Sequence, residues 1–272
     1  MIIWLASYPK SGNTWVRSIL SSLFFSRDGN IDFQHLNSFP KYPAPEHLEE
    51  FTKELHNYDE MSKYWIPSQE KLNLNQKINF LKTHHLRCAW KNYNFTNSKN
   101  TVGTIYIVRD PRNVLTSIKN HFSFTDEEAL NMMLDKNWSL VNRIKTMLSS
   151  WELHYFSWAK NNKNVLLIKY EDMVSDLKKE IYKILDYLNK FNIKTNFSEK
   201  KINNCIKTSN FSNFQDMEKK GLFDEYIVGD DKSKKTFFRL GKKNNFKKLL
   251  NEKIKYRLEK EFKKEMKELG YL

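Results

Sequence analysis

Several short stretches of this chain hold residue types suited to gripping an anionic group and moving a proton beside it. Tyr8-Pro9-Lys10-Ser11-Gly12-Asn13-Thr14-Trp15 combines an ammonium, two hydroxyls and a glycine in one turn. If a helix opens there, its first backbone N–H groups point outward and form an anion cradle. The turn is not a Walker A loop, because its lysine precedes the glycine and the leading glycine is missing. No obvious Walker B aspartate accompanies it. Lys82-Thr83-His84 sets an ammonium and an imidazole two residues apart. On an extended segment both side chains share a face, and an ordinary histidine, with a pKa of about 6.5, can take up a proton near neutral pH. Arg109 closes a β-branched run, and its planar fork suits bidentate phosphate binding. No cluster of His, Cys, Asp and Glu has metal-ligand spacing, so the chemistry is expected to need no metal.

These residues need elements to place them. Ile2 to Ala6 is an apolar run of buried-strand type, and Trp15, Ile19, Leu20, Leu23 and Phe24 follow at helical spacing. Thr104 to Val108 repeats the pattern, with Asp110 as a helix N-cap, Pro111 at the first helical position, and Val114, Leu115 and Ile118 on one face. Val165 to Ile168 is a third strand, leading through Tyr170-Glu171-Asp172 into a helix with Leu177, Ile181, Ile184, Leu185 and Leu188 on one side. Phe80-Leu81 is a short fourth. Strands alternating with helices predict an α/β fold with a central parallel sheet flanked by helices. In such sheets ligands sit beyond the carboxyl ends of the strands, where Lys10, Lys82, His84 and Arg109 fall. Residues 26–79 are weakly periodic and predict a partly helical loop region, and residues 221–236 predict a loop.

The 272 residues suit one α/β domain or two small ones, and a single domain spanning 1–272 is expected, with 40% hydrophobic and 14% aromatic residues arguing for a packed core. No apolar run approaches the roughly 20 residues that a membrane-spanning helix needs. Two cysteines, Cys88 and Cys205, make no disulfide scaffold, and Ile2-Ile3-Trp4-Leu5 lacks the features of a signal peptide. These features predict a cytoplasmic enzyme. The net charge is +14, and the stretch from Lys232 to Lys264 holds 14 basic against three acidic residues. Such an excess suits nucleic acid, an anionic surface or a small polyanion, and much of it reads as a solvated helix face.

At the first turn the sequence resembles the sulfotransferases that use 3'-phosphoadenosine 5'-phosphosulfate (PAPS), especially the cytosolic type and its bacterial relatives. That family carries Tyr-Pro-Lys-Ser-Gly-Thr-Thr-Trp in its phosphosulfate loop, and residues 8–15 match except that Asn13 replaces threonine. The resemblance continues in order. Phe80 to His84 is similar to the Lys-Thr-His catalytic segment. Ile107 to Val114, with Ser117, is similar to the 3'-phosphate motif, and Tyr170-Glu171-Asp172-Met173 to a Tyr-Glu-Asp-Met turn near the adenosine and sulfate. Phe238-Arg239-Leu240-Gly241-Lys242 is similar to a late Arg-Lys-Gly phosphate loop, and Leu269 to Leu272 to the ending of bacterial members. The resemblance implies a single P-loop-like domain. Lys10, Ser11, Gly12, Asn13, Thr14, Trp15, Arg109, Ser117, Tyr170, Arg239 and Gly241 would bind PAPS, with His84, Lys10 and Lys82 catalytic. Trp15 also reads as a packing residue.

Some positions depart from the pattern. Leu240 stands where lysine is common, which leaves that phosphate contact absent or supplied by Lys242 or Lys243. Asn245-Phe246 replaces Asp-Trp, and His85-Leu86 follows His84 where animal enzymes have Leu-Pro, so the choice of His84 over His85 as the base rests on register. The adenine-side segment aligns with either Ser209 or Ser212 in the contacting place. The implied reaction passes a sulfuryl group in line to a hydroxyl or amine acceptor and releases 3',5'-ADP. His84 takes the acceptor's proton, Lys82 stabilises the sulfuryl oxygens and Lys10 the departing phosphate. Two other classes stay open: a P-loop kinase or NTPase, which predicts magnesium-dependent ATP binding, and a basic nucleic-acid-binding protein, which leaves the strand-end residues unexplained. The acceptor and the oligomeric state are not readable from the sequence.

Overall fold

The computed structural model describes residues 1–160, 163–225, 227–228, 234–241 and 244–272. Four strands form the central sheet: β1 (Ile2–Ser7), β2 (Asn79–Thr83), β3 (Thr101–Val108) and β4 (Val165–Lys169). Their order is β2-β1-β3-β4 and every pairing is parallel. All six residues of β1 are buried, which explains its unbroken apolar run rather than an alternating one. The helices include α1 (Asn13–Phe25), α2 (Pro111–Phe122), α3 (Trp151–Ala159), α4 (Tyr170–Ser175), α5 (Leu177–Asn189), α6 (Glu199–Thr208), α7 (Phe211–Lys219), α8 (Glu252–Glu261) and α9 (Lys263–Glu268); two further nine-residue helices cover Trp65–Asn73 and Asp126–Leu134, and short helical turns lie elsewhere. The architecture is the expected α/β fold with a central parallel sheet flanked by helices.

Parallel pairing puts all four carboxyl ends at one edge of the sheet. Ser7 runs on into Tyr8, Thr83 into His84, Val108 into Arg109 and Lys169 into Tyr170. Each strand therefore ends on a stretch that the sequence marks out.

The chain divides into two compact units. The first comprises residues 1–13, 39–108 and 131–170 and contains the whole sheet. Its core is aromatic: Trp4 lies 5.5 Å from Tyr42, 5.5 Å from Phe95 and 5.8 Å from Trp158 between ring centroids. Rings of this size bury roughly 150–250 Å² each, so much of the unit's hydrophobic stabilisation is concentrated here. Tyr58, Trp65, Trp151, Tyr155 and Trp158 are all buried in it. Helix α3, capped by the Ser150 hydroxyl, packs on β1, β3 and β4. Residues 40–42 extend the sheet edge, with Lys41 in parallel register with Lys82.

The second unit comprises residues 14–38, 109–130 and 171–272. Asp110 caps α2 by accepting from the Arg112 N–H, with Pro111 following, as the sequence predicts. Ile181, Ile184, Leu185 and Leu188 line the buried side of α5. A phenylalanine cluster (Phe33, Phe214, Phe223, Phe238) holds the centre, with Phe33 and Phe238 stacked at 5.7 Å. Along α8 and α9 the residues Ile254, Leu258, Phe262 and Met266 are buried, while Lys253, Lys260, Lys263, Lys264 and Lys267 are exposed. The C-terminal lysines described thus lie mainly on a solvated helix face. Two-stranded ribbons join Ala89–Trp90 to Tyr93–Asn94 and Ser139–Val141 to Lys145–Met147 in the first unit, and Ile227–Val228 to Lys234–Lys235 in the second. The last lies inside the segment expected to be loop throughout, and Gly229, Asp230, Asp231 and Lys232 of that segment fall outside the described residues.

Candidate active site

In the first unit β1 ends at Ser7, and the next residues turn sharply. Lys10 takes φ 67° and Gly12 φ 102°, both in the left-handed region. For a lysine that conformation costs of order 1–2 kcal/mol, so the surrounding structure must impose it. Gly12 admits no side chain, since a Cβ there would lie 2.6 Å from the Tyr170 ring. The loop and Tyr170, picked out far apart in sequence, therefore meet face to face. Tyr8 is buried and donates to the Met132 carbonyl at 3.5 Å, and burial pushes its phenol pKa upward. The Ser11 hydroxyl is buried with no hydrogen-bond partner among the described residues. A buried hydroxyl without a partner costs about 1–3 kcal/mol, and a bound anion would satisfy it. Asn13 begins α1, whose first N–H groups have no partner inside the helix. Donor set and backbone both suit an anionic group. The Asn13 side chain turns instead to β1, donating to the Leu5 carbonyl at 2.9 Å and to Ser7 Oγ at 3.2 Å.

The second stretch follows β2. Burial alternates from Leu81 to His85: Leu81, Thr83 and His85 are buried, whereas Lys82 and His84 are half-buried. Lys82 and His84 thus share one face, as the spacing predicts. His84 Nδ1 lies 2.7 Å from the Ser7 carbonyl. A carbonyl only accepts, so Nδ1 carries the proton and Nε2 keeps the lone pair that can receive another. The His84 backbone is held as well. His154 Nε2 donates to the His84 carbonyl at 3.1 Å, and its Nδ1 accepts from the Tyr106 hydroxyl at 2.9 Å. Burial and the Lys82 ammonium hold the His84 pKa well below 6.5, with the Ser7 carbonyl opposing them. The ring is therefore neutral near pH 7.

His85 is a different residue in kind. It is fully buried, stacked on Phe95 at 4.4 Å, and held down to a pKa of about 4 by burial. Between the two adjacent histidines, solvent access falls to His84. Ser7, Tyr106 and His154 carry no chemical signal in the sequence: strand pairing brings Ser7 to His84, and α3, packed on the sheet, brings His154, which Tyr106 holds.

In the second unit Arg109 is buried directly after β3. Its neighbours are structural. The Arg112 guanidinium makes a forked contact with Asp110, bonds Glu259 at 2.6 Å and the Tyr271 carbonyl at 2.8 Å, and lies 4.0 Å over the Phe246 ring. Glu171 accepts from the Asp110 N–H at 3.0 Å and from the Tyr271 hydroxyl at 2.9 Å. The C-terminal residues thus brace the turn that carries Arg109. Ser117 is half-buried on α2. The late loop packs along the same helix: Thr116 donates to Asn244 at 2.8 Å, Phe246 N–H to Asn113 Oδ1 at 3.0 Å, and the Arg239 guanidinium to Asn120. Residues 113, 117 and 120 follow helical spacing, so Arg239 is anchored on the face of α2 that presents Ser117. Phe246 and Asn245 replace the family's pair without loss of order, since Phe246 stacks under Arg112 and Asn245 caps the next helical turn.

Gly241, at φ 48°, lies so close to Phe211 that a Cβ would meet its ring at 2.6 Å. Of the two candidate serines, Ser209 is buried and donates to the Ile206 carbonyl at 3.1 Å, whereas Ser212 is exposed at the start of α7. Thr14 and Trp15 are half-buried on α1, and Leu240 is half-buried beside Arg239. Lys242 and Lys243 fall outside the described residues.

Comparison with known proteins agrees on one family. A family model described as the sulfotransferase domain matches residues 2–270. The amine sulfotransferase of Oryctolagus cuniculus is 26% identical over 78% of this chain and 62% of its own length, so the chain spans less than two thirds of that relative. Sulfotransferase 2A2 of Rattus norvegicus is 27% identical over 89% of this chain and 76% of its own length. Among solved structures, mouse sulfotransferase SULT7A1 complexed with PAP superposes with a TM-score of 0.59 at 20% identity, covering 97% of this chain and 83% of that one. Retinol dehydratase in complex with retinol and PAP gives 0.62 at 20% identity, covering 98% and 81%. With a parallel sheet whose strand ends carry the family's ordered motifs, and a family match from end to end, this chain belongs to the sulfotransferase domain family.

Proposed function

We propose that this chain is a PAPS-dependent sulfotransferase that passes the sulfuryl group to a hydroxyl or amine acceptor and releases 3',5'-ADP. The observation that carries this best is His84, whose Nδ1–H is donated to the Ser7 carbonyl so that Nε2 is left to accept the acceptor's proton. The left-handed Lys10–Gly12 turn and the buried Ser11 hydroxyl support a phosphosulfate site beside it. The structures of relatives hold PAP, which is 3',5'-ADP, the product expected here.

PAPS supplies an activated sulfuryl group on an anionic leaving group. Lys10 and the N–H groups at the start of α1 stabilise negative charge on the departing phosphate, an electrostatic role often worth about 2.7–4 kcal/mol per donor. Lys82, on the same face as His84, stabilises the sulfuryl oxygens. Arg109, Ser117 and Arg239 hold the 3'-phosphate, with Gly241 and Tyr170 shaping the nucleotide site. Residues 1–272 act as one catalytic domain, consistent with the match over residues 2–270. The free thiols of Cys88 and Cys205 fit a cytoplasmic setting, and no described helix is long and apolar enough to cross a membrane.

Isothermal calorimetry separates this reading from an ATP-using kinase. The expected result is 3',5'-ADP binding at least tenfold tighter than ATP without magnesium, a difference of about 1.4 kcal/mol. Tighter, magnesium-dependent ATP binding would overturn it.

A further inference from the structure

The one position where the phosphosulfate loop departs from the family's residues, Asn13, is wired to the base. The residue is 5% exposed, and its amide nitrogen donates to two groups of β1, the Leu5 carbonyl at 2.9 Å and Ser7 Oγ at 3.2 Å. Ser7 is fully buried and faces His84 with both its oxygens: the carbonyl lies 2.7 Å from Nδ1 and the hydroxyl 3.3 Å. A continuous path of hydrogen bonds therefore runs from the first residue of α1, through the last residue of β1, to the imidazole. We infer that Asn13 is a positioning residue for the base: it fixes the end of β1 so that Ser7 holds His84 in the Nδ1–H tautomer with Nε2 aimed outward. This rests on the reading of His84 as the base.

The chemistry explains why an amide serves here. A carboxamide NH2 offers two donors, and both are used on β1. Threonine offers one. Because the residue also begins the helix whose N-terminus faces the anion, loop and base share one rigid support. The Ser7 carbonyl matters after proton transfer too, since an acceptor at Nδ1 stabilises the imidazolium that forms at Nε2. The groups that oppose it are the Lys82 ammonium on β2, Lys41 from the segment in register with it, and His154 from α3. Loosening Ser7 therefore makes His84 a weaker base, and the acid limb of its pH profile moves to lower pH.

Nitrogen-15 NMR of histidine-labelled protein tests this without any acceptor. In the wild type, His84 is expected as the single Nδ1–H tautomer; in Asn13→Ala and in the milder Asn13→Thr, a fraction of the Nε2–H tautomer should appear. Calorimetry with 3',5'-ADP on the same variants should show a loss of affinity much smaller than the loss of kcat. Turnover of labelled PAPS against a panel of phenol, alcohol, amine and saccharide acceptors should fall by up to about 10²-fold in kcat, the size expected for a misplaced reacting group, with little change in KM for PAPS. An unchanged His84 spectrum in both variants, or a loss of 3',5'-ADP affinity as large as the loss of kcat, would overturn the positioning role. His84→Ala separates the two levels. If it keeps full turnover, the base assignment fails by itself, whereas an inactive His84→Ala beside a fully active Asn13→Ala sinks only the role of Asn13.

Discussion

At the residue level, two adjacent histidines with the same side chain serve different ends because of where strand alternation points them. His84 meets solvent on the Lys82 face, while His85 is sealed against Phe95. His85 and His154 are held at pKa values of about 4 and about 3, chiefly by burial. Unfolded histidines bind protons near pH 6.5, so below that pH the unfolded chain gains protons that the folded core refuses. The stability these two residues contribute is complete above about pH 6.5 and is lost as pH falls toward the folded values, at about 1.4 kcal/mol per pH unit for each. Thermal unfolding should therefore drop steadily from pH 7 to pH 5, and less steeply in His85→Phe. Identical slopes in the two proteins would contradict it. Of the candidate site's residues, Lys10, Lys82, His84 and Arg109 are legible in the sequence because their types stand out at strand ends. Ser7, Tyr106 and His154 are not, since a serine closing an apolar run and a histidine within an aromatic helix look ordinary until strand pairing and the packing of α3 bring them to His84.

At the level of elements, the strand-to-helix turn after β1 depends on close approach of backbone and ring. Gly12→Ala places a methyl 2.6 Å from the Tyr170 ring, on a backbone at φ 102°. The expected outcome is a loss of about 1–3 kcal/mol in unfolding free energy and at least tenfold weaker 3',5'-ADP binding, read by denaturant titration and calorimetry. A variant that binds the nucleotide normally would show that Tyr170 yields and that the close contact is incidental. All four sheet strands could be read from short apolar runs, and the start of α2 from Asp110-Pro111, because strand burial and cap chemistry leave local signatures. The two- and three-residue ribbons could not. A strand such as Ala89–Trp90 is too short to show a period, and it exists only through its partner at Tyr93–Asn94.

At the level of the whole chain, the basic charge divides into used and unused parts. The exposed lysines of α8 and α9 face solvent, whereas buried Arg112 ties three remote stretches together: the turn at Asp110, the helix residue Glu259 and the C-terminal Tyr271. Replacing Arg112 with Met keeps bulk but strands the carboxylate of Asp110 beneath the surface, and breaking such a buried pair costs about 3–5 kcal/mol. Chemical denaturation should show that loss, accompanied by weaker 3',5'-ADP binding as the Arg109 turn loosens. A loss below about 1 kcal/mol would mean that the network holds without its centre. None of this bracing was legible beforehand, because it joins residues more than a hundred positions apart.

Transfer of labelled sulfate from PAPS, measured in wild type, Lys10→Ala and His84→Ala against the acceptor panel, bears most directly on the proposed chemistry. Wild type should label at least one hydroxyl or amine acceptor. His84→Ala should lose about 10²–10⁴-fold in kcat while still binding 3',5'-ADP, and Lys10→Ala should be impaired at least as strongly. Undiminished transfer in both variants would contradict the assignment of the loop lysine and the base.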